Sequence, residues 1–198
     1  MNHVDGYCER VGPALWAEPL NAVSNVAFLV ACAVLLIRSR HRTLPILLGV
    51  VGLCSLSFHT YAVGVTAALD SLSILVFVLV AVVALTRYGL GVRAGLAWIA
   101  APAFVVFAVF VDVLLALAGR QYTLGGYLPA ALALAGFAVA LRSRGLGVAT
   151  GVFAVSLTLR TLDGPLCHAV PVGLHWGWHC LNAVVLYLVA RDVDRRIR

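Results

Sequence analysis

Two histidines, His175 and His179, stand four residues apart in the stretch GLHWGWHCLN, at the head of an apolar run. A helix brings positions i and i+4 to one face, so both imidazoles can reach a single metal ion. A zinc protease of the H-E-x-x-H type has Glu directly after its first His, as general base; here that position is Trp176. For a hydrolytic centre, the base and a third ligand must come from elsewhere. TLPILLGVVGLCSLSFHTYA offers His59 with Ser55 one helical turn before it, and AALDSLSILVFVLV offers Asp70. Three neutral imidazoles suit Zn²⁺, and a catalytic zinc commonly keeps three protein ligands and an open position for water. His59, His175 and His179 can supply that set. Asp70 is the candidate general base or water-orienting group, and Ser55 can donate a hydrogen bond to a developing oxyanion. A metal held there would lower the pKa of its water towards ~7 and polarise a carbonyl. Such chemistry suits hydrolysis of an amide or ester whose apolar tails arrive from a bilayer.

Each residue also has an ordinary structural account. A single membrane histidine is commonly a hydrogen-bonding group, and helices bring H-x-x-x-H pairs together by accident. Ser55 can back-bond to a helical carbonyl, and Asp70 can cap a helix. Asn21, Ser24, Asn25 and Asn182 are read as interhelical hydrogen-bonding residues, and Trp176 and Trp178 as packing residues. His3, His41 and His168 are left outside the site. What sets the five candidates apart is a common depth, which depends on the elements that carry them.

The chain has 198 residues, 63% hydrophobic and 11% charged, with a mean hydropathy of +1.03; a soluble domain carries roughly 25% charged residues. These values predict one all-α membrane domain over 1–198, with an extracytoplasmic segment 1–19, a seven-helix bundle 20–190 and a cytoplasmic tail 191–198. A crossing needs about 20 apolar residues, and seven runs qualify, near 20–37, 43–62, 67–86, 94–118, 123–141, 146–161 and 171–190. The first is expected to be an uncleaved insertion signal, because acidic residues and prolines precede it where a signal peptide would be basic. Arg38, Arg40, Arg42, Arg87, Arg93, Arg142, Arg144, Arg191, Arg195, Arg196 and Arg198 fall on one side, against Arg10, Arg120 and Arg160 on the other. The C-terminus is therefore expected in the cytoplasm and the N-terminus outside. This asymmetry accounts for the net charge of +6 and leaves no call for a nucleic-acid partner. With that orientation Ser55, His59, Asp70, His175 and His179 all lie in the outer halves of their runs. An ionisable group there costs about 2.5–3.5 kcal/mol on insertion scales and usually faces the bundle interior.

The combination of S-x-x-x-H in SLSFHT, Asp70 eleven residues after that histidine, and H-x-x-x-H in LDGPLCHAVPVGLHWGWHCLN, together with YCERVGPALWAEPLNAVSN near the start, resembles the alkaline ceramidases and their bacterial ceramidase-like relatives. These belong to a wider superfamily of seven-helix membrane hydrolases, and the likeness spans nearly the whole chain. It implies zinc on His59, His175 and His179, water activation by Asp70, and assistance at the substrate carbonyl by Ser55. It also implies that the substrate is a membrane lipid, ceramide or a ceramide-like N-acyl lipid, split into a long-chain base and a fatty acid. Animal members hold calcium with an acidic N-terminal segment, to which Asp5, Tyr7, Glu9 and Glu18 correspond. The match departs from the family pattern: Tyr7 replaces a Trp, Gly6 stands where an Asp is usual, and the Glu9–Glu18 interval is shorter. The alternative for Glu9 and Glu18 is pairing with Arg10 or Arg160. The resemblance further implies a Cys8–Cys167 bridge, while Cys32, Cys54 and Cys180 are expected to be small core residues. Asp163 either orients a zinc histidine or caps a helix.

A receptor of the progestin and adiponectin type shares the seven-helix plan and the same Ser, Asp and three-His logic, and is the alternative function. Against it, almost no extramembrane domain is present to couple a signal. A proton or ion pathway would show ionisable residues staggered through the membrane depth; here they cluster in one half. The expected location is an integral multi-pass membrane protein, in the cell membrane if the source is bacterial.

Overall fold

The structure, a computed structural model, describes residues 4, 6–119 and 126–197. The chain is 75% helix, with no strand among the described residues. Continuous apolar runs impose this outcome, because a backbone in lipid must satisfy its amides within its own segment. The helices are α1 (Pro19–Ser24), α2 (Val26–Arg38), α3 (Thr43–Tyr61), α4 (Gly64–Ala84) with a π turn over Leu85–Gly89, α5 (Ala94–Ala97), α6 (Ala100–Leu117), α7 (Leu128–Ala140), α8 (Arg144–Leu162) and α9 (His175–Arg196).

Five stretches are long and apolar enough to cross a membrane: Pro19–Arg38, Thr43–Tyr61, Gly64–Gly89, Ala94–Leu117 and Arg144–Leu162. This fits an α-helical membrane protein, as do the large apolar side chains facing outward, among them Val106, Phe110, Leu117 and Val139. In water, such a surface would be an association site. The two remaining predicted runs fall short for separate reasons. α7 has 13 residues, about 20 Å against an apolar core of ~30 Å. α9 has 22, but its two histidines, Asn182 and charged last turns lower its hydropathy.

α9 is the hub of the bundle, packed on α8, α2, α1, α3 and α4. Phe28, Leu48, Val51, Phe77, Phe153, Trp178 and Leu186 form the core around it. α2 and α3 meet most closely at Gly52, where a Cβ would lie 2.7 Å from the Phe28 Cβ. α3 ends three residues after His59 at Ala62, a fully buried residue at φ 46° whose N–H bonds to the Phe58 carbonyl at 2.7 Å. Left-handed backbone is costly for a residue with a Cβ. The Ala62 carbonyl in turn accepts the Val4 N–H at 2.8 Å, which ties the N-terminal segment to this end of α3. A disulfide joins Cys8 to Cys167, with their Cα atoms 5.3 Å apart.

Several boundaries differ from the sequence-based expectation. The run at 20–37 is broken at Asn25 into α1 and α2. The run at 94–118 is broken at Trp98 and Ile99 into α5 and α6. The last helix starts at His175 rather than 171, because Pro171 precedes it and Gly173 turns the chain at φ 69°. It also continues through residues 191–196, expected as a tail, because side chains there tie loops down. Asp192 accepts from Ser143 Oγ and from Arg196 Nε, each at 2.5 Å. Asp194 accepts the Arg40 and His41 N–H groups, each at 3.0 Å.

Candidate metal centre

His59 comes from the last turn of α3, and His175 and His179 from the first two turns of α9. Their ligand nitrogens all lie within 4.8 Å of one another, and all three side chains are buried. The start of α9 is held by Asp163, whose Oδ1 accepts the Leu174 N–H at 2.6 Å and the His175 N–H at 3.0 Å. Two donors that the helix itself cannot satisfy are thereby capped from the end of α8, so capping is the role Asp163 takes. Its Oδ2 accepts the Cys8 N–H at 3.1 Å, so one carboxylate joins α9 to the N-terminal segment. Gly173 sits under this contact: a Cβ there would lie 2.5 Å from Asp163 Oδ1 and 3.0 Å from the Cys8 Cβ.

Hydrogen bonds set the tautomers of two histidines. His59 Nδ1 lies 2.6 Å from Glu18 Oε2; a carboxylate only accepts, so Nδ1 carries the proton and the Nε2 lone pair is free. That Nε2 is buried without a partner. His179 Nδ1 lies 3.1 Å from the Asn21 carbonyl and 2.7 Å from Ser24 Oγ. Ser24 already donates to the Asn21 carbonyl, so the imidazole N–H donates to both oxygens, again freeing Nε2. Metal-ligating histidines are commonly oriented through their second nitrogen in this way.

Ser55 and Asp70 are brought to the same place. Both line a cavity of about 10 Å³ with His175, His179, Tyr7 and Arg160, close to the room one water needs. The Ser55 hydroxyl lies beside the Asp70 carboxylate, whose Oδ1 is buried without a hydrogen-bond partner. His175 Nδ1 is likewise buried without a partner, and two such atoms on residues lining one water-sized cavity are unusual in a finished core. An apolar cavity of about 70 Å³, lined by residues of α4, α7, α8 and α9, shares Ile74, Tyr127 and Asn182 with this site.

Of the residues matched to a calcium site, the described Tyr7, Glu9 and Glu18 are each engaged by protein partners. Asp5 lies outside the described residues. Tyr7 stacks on the His175 ring, centroids 3.8 Å apart, and burial raises its phenol pKa well above the ordinary value. Glu9 accepts the Leu20 N–H at 2.6 Å and the Asn21 N–H at 2.8 Å. Glu18 is buried among His59, Asn21 Nδ2 at 3.0 Å and the guanidinium of Arg10. Burial alone would raise the Glu18 carboxyl pKa, but hydrogen bonds from His59, Asn21 and Arg10 hold it below the usual carboxylate range. Arg10 also reaches the Gly12 carbonyl at 3.1 Å and the His59 carbonyl at 3.4 Å. The only His, Cys, Asp or Glu group that could hold a metal ion, among the described residues, is the histidine trio.

Arg10, Ser24 and Arg160 complete the site without having been placed in it by spacing. Arg160 does not meet Glu9 or Glu18; it lies 4.7 Å over the Tyr127 ring and 5.8 Å over the Trp178 ring. An arginine at the outer end of a weak apolar run was the one available signal for it. For Arg10, the signal was its standing as the lone cation of the acidic N-terminal segment. Ser24 shares a helix face with Asn21, and that face meets His179.

Set against known protein families, curated proteins and solved structures, the chain matches none of them.

Proposed function

We propose that this chain is a zinc-dependent, seven-helix membrane hydrolase that cleaves the N-acyl amide bond of ceramide or a ceramide-like lipid. The observation that carries this reading is the gathering of three histidines beside one water-sized cavity that Ser55, Asp70, His175 and His179 line, with partnerless buried atoms on His59, Asp70 and His175. The donor set fits zinc: three imidazoles, two of them fixed with Nε2 free, and a fourth direction open to water. When bound, zinc supplies an acidified water and a polarised carbonyl.

The chain's own residues do the rest. Asp70 takes the proton of the attacking water. The Ser55 hydroxyl donates a hydrogen bond to the carbonyl oxygen as negative charge develops on it. Asp70 then returns the proton to the departing nitrogen, so that a C–O bond forms, the C–N bond breaks, and a fatty acid and a long-chain amine leave. The apolar cavity between α4, α7, α8 and α9 takes a hydrocarbon chain. In this reading α7 and α9 cross with the five longer stretches, the arginine-rich loops face the cytoplasm and the histidines lie near the outer surface. Glu9 and Glu18 serve as structural anchors in place of calcium ligands, since protein donors already engage them.

The test is fatty-acid release from ceramide by detergent-purified protein, with Asp70→Asn run beside it. Release by the wild type alone supports class, substrate and base together. A protein that holds about one zinc yet releases nothing from ceramide or other N-acyl lipids would favour a receptor that keeps the metal.

A further inference from the structure

At the end of the bundle opposite the histidines, α3, α4 and α9 frame a second recess, of about 250 Å³. Fifteen residues of α3, roughly 22 Å of helix, separate Leu44 in its wall from His59. The wall is apolar at Leu44, Val80, Val83 and Val193, and Trp98, 64% exposed, stands at one side. The rim is basic: His41 and Arg87 line the recess, and an adjoining open hollow is lined by Arg87, Tyr88, Arg195 and Arg196.

Two observations set this recess apart from a generally basic membrane face. Arg87 and Tyr88 are delivered by the π turn Leu85–Gly89, closed by an i→i+5 bond from the Leu90 N–H to the Leu85 carbonyl at 3.1 Å. Such turns are rare and are found disproportionately at functional sites. The Arg87 guanidinium is held 4.7 Å over the Tyr88 ring. Two guanidiniums there are also without an ion-pair partner. The one carboxylate lining the recess, Asp194, accepts the Arg40 and His41 amides through Oδ1, and Asp192 is taken by Ser143 and Arg196. Among the described residues no ion pair engages Arg87 or Arg195.

We propose that this recess is a binding site for one anionic phospholipid of the surrounding bilayer. Its phosphate lies at Arg87 and Arg195, and its hydrocarbon runs along the apolar wall past Trp98. Asymmetric arginine placement needs only basic loops; a walled apolar recess that opens beside a hollow lined by Arg87 and Arg195 is the arrangement that takes an anionic head group between membrane helices. The proposal rests on the bundle lying in a bilayer and is independent of the hydrolytic reading.

The test offers phosphatidylglycerol or phosphatidylcholine to the full chain in neutral detergent and counts retained lipid by native mass spectrometry. The expected result is one phosphatidylglycerol held in preference to phosphatidylcholine. That preference should fall about tenfold in Arg87→Gln/Arg195→Gln and persist in Arg38→Gln/Arg144→Gln, which removes equal charge at the same end but outside the recess. Millimolar glycerol phosphate should leave the lipid in place. Equal retention of both lipids by the wild type, equal loss in the two double variants, or displacement by free glycerol phosphate would each overturn the proposal. Zinc content measured on the same samples reports on the metal centre separately.

Discussion

Glu18 reaches the metal centre only through another residue, and it separates holding from reacting. Its carboxylate fixes the His59 tautomer and is neutralised by a buried guanidinium. Glu18→Gln should weaken metal affinity by about 10–100-fold, the usual effect of losing a ligand's hydrogen-bonding partner, as read by zinc competition with a chelator. It should also cost about 3–5 kcal/mol of stability, because the Arg10 charge is left buried without its partner. The folded-state pKa of Glu18 lies below its unfolded value, so this contribution is present at neutral pH. It is lost as the pH falls below about 4.3 and through the folded value. Asp70 and His179 make the complementary pair. Asp70→Asn should keep zinc and abolish turnover, whereas His179→Ala should lose zinc as well. Zinc analysis of both purified variants, beside a rate measurement, decides the two roles independently.

At the scale of the element, the decisive feature is how α9 begins. Its first two turns carry two of the three histidines, and their direction depends on Asp163 capping Leu174 and His175 across the loop that Gly173 closes. Gly173→Ala must place a Cβ at φ 69°, costing about 1–2 kcal/mol for the left-handed backbone alone, and must push into the Asp163 carboxylate. A lowered unfolding temperature together with reduced zinc content is the expected outcome; unchanged zinc would mean that the cap is not what aims the histidines. The three histidines that could hold a metal are legible in the sequence because an i, i+4 pair and a like position within each apolar run are one-dimensional signals. The Glu18–Arg10 pair is legible as one alternative for Glu18, but the link from Glu18 to His59, 41 residues away, is not, since Glu18 belongs to a segment with no periodic structure. The helix limits are legible wherever apolar composition sets them. They fail at residues 191–196, where tertiary hydrogen bonds hold a charged stretch helical.

For the molecule as a whole, the N-terminal segment is stitched over the end of the bundle that holds the histidines. Tyr7 covers His175, Val4 bonds to Ala62, and the disulfide fastens Cys8 to the loop before α9. The bridge spans 159 residues. In chain-entropy terms a closed loop of this length is worth about 5 kcal/mol. That value is a ceiling here, because apolar helices held in a bilayer already confine the unfolded chain. Cys8→Ser/Cys167→Ser, or treatment with a reductant, should therefore lower the unfolding temperature and speed zinc loss to a chelator. Equal chelation rates with and without the bridge would show that the segment is held by its other contacts alone.

The helical extension at 191–196 bears on how the protein is handled at the bench. Asp192 and Asp194 act as two hooks, one on the α7–α8 turn and one on the α2–α3 turn, at the far end of the rod that carries the metal ligands. Removing the last few residues as an expendable basic tail, or packing an affinity tag against them, would unfasten both turns at once. A chain ended at Arg191 should lose thermal stability, through both hooks and the buried Val193, so expression designs do better to extend past Arg196 than to trim before it.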